Sequence, residues 1–343
     1  MRFEDIHGNG TTVSALRNMV DGGRIPHALM FHENDGGGAI PLALAFIQYL
    51  YCRSRSDGDS CGECPVCRRV TKLIHPDIQF ICPIASSKEK PTSESYISEI
   101  RELLEKNPYF YEHELYSALG IEGKQAAIAV PEARSILSKL SLSGVEGGWR
   151  TVIVYLPEKM NASAADTLLK MVEEPPEMTL FLMITHEPEK VLRTIYSRCL
   201  VLRVIPLSGE DFAAVHPEDA EDATRMTDLF ADLFNALSEK DLLGALEAGE
   251  QAAGLENREK QKTFCKFAGE VLRRIFLVQQ GLEDLALIPE TEVEFYRQAA
   301  TKCRKSFPRG AMAYFDRATE LLERNVNQKI IFADLVDKLY MIV

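Results

Sequence analysis

"FHENDGGGAIPLALAFIQYL", residues 31–50, has the pattern of a strand end, a glycine-rich turn and the start of a helix. Phosphate-binding loops are built this way, with the pattern G-x-x-x-x-G-K-[ST]. Their backbone N–H groups and lysine hold phosphate, and their hydroxyl holds Mg²⁺. The aligned residues here are Glu33 at the first glycine, Gly38 at the second, Ala39 at the lysine and Ile40 at the hydroxyl position. Because three of the four requirements are missing, we expect a degenerate loop, although the helix start at 39–41 could hold an anion weakly.

The second half of such a site is also incomplete. Active sites of this type pair the loop with an apolar strand that ends in acidic residues, which bind the metal and polarise water. The apolar strand is present in "TVIVYLPEKMN", residues 151–161, but Tyr155 and Leu156 stand at the acidic positions and Glu158 lies two residues beyond. We therefore expect no ATP to be bound. The alternative is an active ATPase with an unorthodox loop that uses Lys159 or another lysine.

Around the loop, the first two hundred residues alternate apolar runs with amphipathic helical patterns. The runs are nearly continuous, as in strands buried on both faces of a sheet. They occupy residues 28–32, 78–84, 151–156, 179–185 and 199–205. One intervening helix is expected to start at Asn161, a good N-cap, and to end before Pro175. Strands separated by helices of this length predict an α/β domain with a parallel sheet between helical layers.

After about Pro206 the strand pattern disappears and only helical stripes remain. Residues 226–237 and 264–276 each place apolar side chains on one helical face, and residues 309–343 predict at least two more helices. These stripes are typical of packing surfaces within a bundle or against neighbouring subunits. The C-terminal part is therefore predicted to be all-α.

Composition narrows the function classes. The 343 residues include 39 Lys and Arg against 51 Asp and Glu, a net charge of −12, which disfavours binding of nucleic acid or anionic membrane by the whole surface. No apolar run reaches the length of a membrane span, and the first residues lack the apolar core of a secretory signal. Scattered cysteines among apolar residues suit a reducing compartment. We expect a cytoplasmic protein.

Four further cysteines form a compact motif. "CRSRSDGDSCGECPVC" contains Cys52, Cys61, Cys64 and Cys67. The last three are separated by two residues each, so that four thiolates can surround one zinc ion. An iron–sulfur cluster is the rival, but its cysteine run needs a fourth cysteine where Thr71 stands. His75 could replace one ligand, and four reduced surface cysteines are the alternative without metal. A closed site of four cysteines predicts structural zinc and no catalysis.

Several stretches are in register with one known family. They are "GRIPHALMFHE" at 23–33, "HPDI" at 75–78, "PEKMNASAADTLLKMVEEPPEMTLFLMIT" at 157–185 and "TIYSRC" at 194–199. With the cysteine insertion, the chain resembles bacterial clamp-loader subunits of the AAA+ class. The missing lysine and acidic pair make it similar to the delta-prime type of DNA polymerase III, not to the ATP-hydrolysing tau/gamma type. The resemblance implies an AAA+ domain over 1–205 with a zinc module at about 52–75, a helical lid over 206–255 and a helical collar over 256–343.

The resemblance also implies a role. The chain would be a subunit without its own enzymatic activity, in a hetero-oligomeric ring with tau/gamma and delta subunits. Through the complex it would reach the sliding clamp and primed DNA. In this family the arginine of "SRC", here Arg198, reaches the ATP of a neighbouring subunit as an arginine finger, because its fork of donors suits phosphate oxygens. By sequence alone, an arginine before a buried strand more often pairs with a local carboxylate.

Some features have no place in this interpretation. The tyrosine-rich segment 107–127, "NPYFYEHELYSALGIEGKQAA", is unexplained. A zinc-bearing adaptor outside any polymerase is a third reading of the whole chain. The stoichiometry of the ring and the immediate neighbours of the chain do not follow from the residues.

Overall fold

The computed structural model describes residues 1–87, 89–141, 144–146, 148–207, 209–324 and 326–343. The chain divides into two compact units, Met1–Leu207 and Ser208–Val343. The predicted finer division of the second part at residue 255 stays a prediction.

The first unit is built on a five-stranded sheet. Its strands are β1 Ala28–His32, β2 Ile78–Ile81, β3 Arg150–Tyr155, β4 Thr179–Thr185 and β5 Leu200–Arg203. All pairings are parallel and the order is β2-β3-β4-β1-β5. Parallel neighbours need crossover connections, and helices supply them. The predicted fold class, a parallel sheet between helices followed by an all-α part, is confirmed.

The described residues of this unit form eight α-helices. They are α1 Gly10–Asp21, α2 Ala39–Tyr51, α3 Pro65–Thr71, α4 Ile97–Lys106, α5 Glu112–Ala118, α6 Val130–Leu140, α7 Ala162–Glu173 and α8 Arg193–Tyr196. The predicted cap of α7 is present, because Asn161 Oδ1 accepts a hydrogen bond from the N–H of Ala164 at 2.8 Å. The helix ends at Glu173, before the proline pair, as expected.

The strands separate two apolar cores. Leu29 and Phe31 of β1 pack with α2 on one face of the sheet. Ala28 and Met30 point to the other face, where α6 and α7 lie. Because successive residues of a strand point to opposite faces, a continuous apolar run fills both cores.

Three strands differ from their predicted bounds. Strand β3 is shifted by one residue, to Arg150–Tyr155 instead of 151–156. Strand β2 ends at Ile81 instead of residue 84, since Pro83 has no N–H to donate to a neighbouring strand. Strand β5 covers four residues, and the Leu200 side chain is 45% exposed. The expectation of burial on both faces is wrong for β5, whose Leu200 and Arg203 are exposed, whereas β2 at the other edge of the sheet is largely buried.

The second unit is a helical assembly. Its helices are α9 Gly209–Val215, α10 Ala220–Ser238, α11 Leu242–Ala253, α12 Arg258–Gln279, α13 Glu283–Ala286, α14 Val293–Lys302, α15 Phe307–Glu323 and α16 Gln328–Ile342. The described part of this unit contains no strand. The apolar stripes of α10, α12, α15 and α16 share one core, which includes residues on both sides of position 255. None of the described helices of the chain is both long and apolar enough to cross a membrane.

Two helical glycines of this unit have opposite surroundings. A Cβ on Gly249 of α11 would lie 2.6 Å from Val336 Cγ2 of α16, so the absence of a side chain permits the close approach of these helices. A Cβ on Gly269 of α12 would meet nothing within 4 Å. Only the first glycine is required by packing.

Candidate functional site

The degenerate loop lies where three parallel strands end. Glu33 follows β1, Tyr155 ends β3 and His186 follows β4. Since the carboxyl ends of parallel strands share one edge of the sheet, residues far apart in sequence meet there. The fold thus brings the degenerate loop and the degenerate strand end together at one edge of the sheet.

The Glu33 side chain binds the backbone of its own loop. Its side chain is buried, and Oε2 accepts a hydrogen bond from the N–H of Ala39 at 2.7 Å. That N–H begins helix α2 and is of the kind that holds phosphate in an active loop. Burial raises the pKa of Glu33, while the contacts with His186 and the Ala39 N–H oppose this rise. The glutamate carboxylate therefore takes the hydrogen bond that a phosphate oxygen would accept.

The other altered positions are packed inside the protein. Ala39, Ile40 and Leu156 are buried. The carboxylate of Glu158 accepts hydrogen bonds from Thr185 Oγ1 at 2.8 Å and from the N–H of His186 at 2.9 Å. Glu158 lies in the short turn Pro157–Lys159 that follows β3. Lys159, the lysine of the alternative ATPase reading, forms an ion pair with Glu112 at 3.2 Å.

His186 is the cationic centre of the site. Its Nε2 lies 3.7 Å from Glu33 Oε1 and 3.8 Å from Asp35 Oδ1, and its Nδ1 lies 3.8 Å from Glu112 Oε2. Burial alone lowers the pKa of His186, but the carboxylates of Glu112, Glu33 and Asp35 outweigh burial and raise that pKa to about 10. The imidazole is therefore charged at neutral pH, and its charge balances the carboxylates.

The unexplained tyrosine-rich segment borders this site. The Tyr109 ring lies against Gly38, whose φ of 98° is in the left-handed region. The backbone N–H of Glu112 donates a hydrogen bond to Asp35 Oδ1 at 2.8 Å. The ring of Phe110 packs edge-on against Tyr155 with the centroids 5.7 Å apart.

The four cysteines of the motif form one cluster. Their Sγ atoms all lie within 4.8 Å of one another, and all eight cysteines of the chain are free thiols. Cys52 Sγ lies 3.6 Å from Cys61 Sγ, which lies 3.8 Å from Cys67 Sγ. Four sulfurs at about 2.3 Å from one zinc ion lie about 3.8 Å apart in a tetrahedron. The cluster therefore fits zinc.

The surroundings of the sulfurs also suit a metal. Cys61 Sγ and Cys64 Sγ each accept a backbone N–H hydrogen bond at 3.4 Å, from Cys64 and Cys67 respectively. Such hydrogen bonds favour thiolate and lower the pKa of Cys61 to about 6, whereas burial raises the pKa of Cys67. Cys52 and Cys67 are buried, which disfavours four surface thiols. His75 is not part of the cluster, because its nitrogens contact Asp77 and Glu146.

Arg198 lies at the surface just after α8. One guanidinium nitrogen pairs with Glu173 Oε1 at 2.5 Å, and the other donates a hydrogen bond to the Thr194 carbonyl at 2.7 Å. The side chains of Arg198 and Glu173 are each 36% exposed. The local carboxylate expected from sequence alone is thus present, and the role of Arg198 in trans stays a prediction.

Sequence reasoning missed three contributors to the site. His186 directly follows a buried strand, a position that could have identified it. Tyr109 and Glu112 lie more than 70 residues from the loop in sequence, so no local pattern places them beside it. The predicted positions Glu33, Gly38, Ala39, Tyr155 and Leu156 lie at one edge of the sheet, while the cysteine cluster and Arg198 are separate features.

Comparison with known proteins places the chain in a family. The family model described as DNA polymerase III, delta subunit matches residues 8–208. The DNA polymerase III subunit delta' of Yersinia pestis is 32% identical over 177 residues, covering 52% of this chain and 41% of that protein. The subunit delta' of Escherichia coli K12 is 31% identical over 184 residues, covering 54% and 44%. The subunit tau of Escherichia coli K12 is 25% identical over 208 residues, covering 61% and 26%.

The matched region is the α/β unit that carries the degenerate loop and the cysteine cluster. The chain spans less than half the length of these curated relatives. Of the two Escherichia coli K12 proteins, subunit delta' is more similar to this chain, at 31% identity, than subunit tau, at 25%. The family model covers more than half of the chain, and the chain therefore belongs to the DNA polymerase III, delta subunit family.

Proposed function

We propose that this chain is a clamp-loader subunit of DNA polymerase III that binds no ATP of its own. The observation that carries the proposal is the Glu33 carboxylate, which accepts the Ala39 N–H at the start of α2. The missing lysine, hydroxyl and acidic strand end support it, since each removes a contact that Mg-ATP needs. The ion pair of Lys159 with Glu112 weighs against the alternative of an active ATPase.

The partners follow from the family resemblance. The chain would assemble with tau/gamma and delta subunits in a hetero-oligomeric ring, and would contribute through that ring to loading the sliding clamp on primed DNA. Relatives named subunit delta' and subunit tau support this proposal. Zinc in the cysteine cluster would hold residues 52–67 together, because a closed site of four cysteines leaves no open coordination position.

Arg198 is the residue proposed to act on a neighbour. A guanidinium supplied in trans stabilises the charge that develops during phosphoryl transfer. The side chain is partly exposed, and its ion pair with Glu173 lies at the surface, where such pairs are worth about 1 kcal/mol or less. The arginine can therefore leave Glu173 at little cost when a phosphate is offered.

The test uses the reconstituted complex. Arg198→Ala is expected to lower ATP turnover of the complex about tenfold or more, because the finger is lost while the fold is kept. Arg193→Ala, a change of an exposed arginine on the same short helix, serves as the control and should leave turnover unchanged. Unchanged turnover with Arg198→Ala would remove the finger assignment. Micromolar ATP binding by the isolated chain would favour the active ATPase instead.

A further inference from the structure

We infer that residues 107–118, here called the plug segment, are a built-in ligand of the degenerate loop. The segment covers the loop and the end of β3, so that a nucleotide is excluded by occupancy as well as by missing charges. This inference rests on the proposed function. It adds that the plug segment itself occupies the place where a nucleotide would bind. Three separate contacts carry it.

The first contact covers the glycine of the loop. A Cβ at Gly38 would lie 2.7 Å from Tyr109 Cε1, so the ring takes the space directly beside the backbone. In an active loop the backbone N–H groups around this glycine cradle phosphate, so the ring lies beside the place where a phosphate would bind. The Tyr109 side chain is buried, and its hydroxyl accepts a hydrogen bond from the N–H of His7 at 3.0 Å. The ring is therefore fixed from two sides.

The second contact joins the plug segment to the charges of the site. The N–H of Glu112 donates to Asp35 Oδ1 at 2.8 Å, and the Glu112 carboxylate pairs with His186 and with Lys159. The contact with His186, helped by Tyr116 and Lys159 and opposed by burial, lowers the pKa of Glu112 to about 2. Glu112 is thus ionised and supplies a negative charge at the edge where a nucleotide would bring phosphates.

The third contact involves the strand end that lost its acidic residue. Phe110 is buried and packs edge-on against Tyr155, the side chain at the former acidic position. The ring of Tyr155 also meets His186 edge-on, with the centroids 5.8 Å apart. Both altered halves of the site therefore contact the same segment. Loop position 38 faces Tyr109, and strand position 155 faces Phe110.

These contacts predict that repairing the loop is not enough to restore binding. Glu33→Gly, Ala39→Lys and Ile40→Thr together supply the missing loop chemistry, but the plug segment still covers the place of the nucleotide. The full chain with these three changes should bind Mg-ATP at least tenfold more weakly than the same chain that also carries Tyr109→Ala and Glu112→Ala. Titration calorimetry with Mg-ATP measures both affinities. Equal affinities, or no binding by either chain, overturn the inference.

A second measurement covers the case in which the repaired chains do not fold. Tyr109→Ala alone, in the otherwise unchanged chain, should increase hydrogen–deuterium exchange at residues 36–42 at least tenfold, because the loop loses its cover. Tyr111→Ala is the matched control, since that ring stacks on His113. Unchanged exchange at 36–42 in Tyr109→Ala overturns the inference. Neither result depends on Arg198, and ATP binding by the unaltered chain would contradict the proposed function itself.

Discussion

Glu33 stands where the usual pattern has a glycine, and its side chain makes contacts within the site that a glycine could not make. The sequence identified Glu33 only as a residue that stands where the loop pattern has its first glycine. The carboxylate accepts the Ala39 N–H and lies 3.7 Å from His186. A buried charge needs partners to be tolerated, and these two contacts provide them. The loop motif alone predicts that the site has lost the residues that bind ATP. It does not identify the side chains that surround the altered positions, because His186 and Glu112 come from distant parts of the chain.

The charge of His186 leads to a pH-dependent prediction for a single residue. Its pKa of about 10 in the folded chain lies above the ordinary value of 6.5. Its contribution to stability is therefore full below about pH 6.5 and is lost as pH rises through about 10. His186→Gln should lower the free energy of unfolding by about 2 kcal/mol at pH 6, since it leaves the buried Glu33 carboxylate without its cation. Urea unfolding at pH 6, 8 and 10 should show this loss shrinking.

The control for this residue is His27, an exposed histidine beside β1. His27→Gln should change the free energy of unfolding little at any of these pH values. A loss for His186→Gln that stays the same from pH 6 to pH 10 would contradict the assigned charge.

At the scale of elements, the two helical glycines give a matched pair. Gly269→Ala should stabilise the protein by about 1 kcal/mol, because alanine favours the helix and its Cβ enters open space. Gly249→Ala should instead destabilise it by about 1 kcal/mol, since the added Cβ would lie 2.6 Å from Val336 Cγ2 and force α11 and α16 apart. Thermal unfolding of both variants measures the two shifts. Stabilisation by Gly249→Ala would show that this helix contact is looser than described.

Elements with strong local patterns were predictable, and those set by distant contacts were not. Strand β4 has its predicted bounds because seven buried residues in a row specify it. Strand β5 was predicted too long and too buried, since its edge position depends on the order of the whole sheet. The plug segment had no interpretation, because the partners of Tyr109 and Phe110 are Gly38 and Tyr155. Amphipathic spacing predicts which face of a helix is buried, but it does not predict which element that face packs against.

At the scale of the whole molecule, each unit has its own core, so removal of zinc should act on the first unit alone. Cys64 Sγ caps α3, and serine can keep that cap while it binds zinc poorly. Cys64→Ser should therefore lose bound zinc, measured by atomic emission, and increase hydrogen exchange over 52–75 but not over 220–342. Cys303→Ser, outside the cluster, should keep the zinc. Wild-type protein that folds without metal would contradict the zinc assignment.

The order of strands in the sheet also bears on how the chain is made. Strand β1 leaves the ribosome before the other strands, yet its two neighbours are β4 and β5, and Ala28 pairs beside Phe181. At synthesis rates of about 5–20 residues per second, this apolar segment waits roughly ten seconds for its first partner. During that interval its unpaired edges are open to wrong partners on other nascent chains. Strand β1 is thus the first strand to be made and one of the last to be paired on both sides, because β5 is the final strand of the sheet.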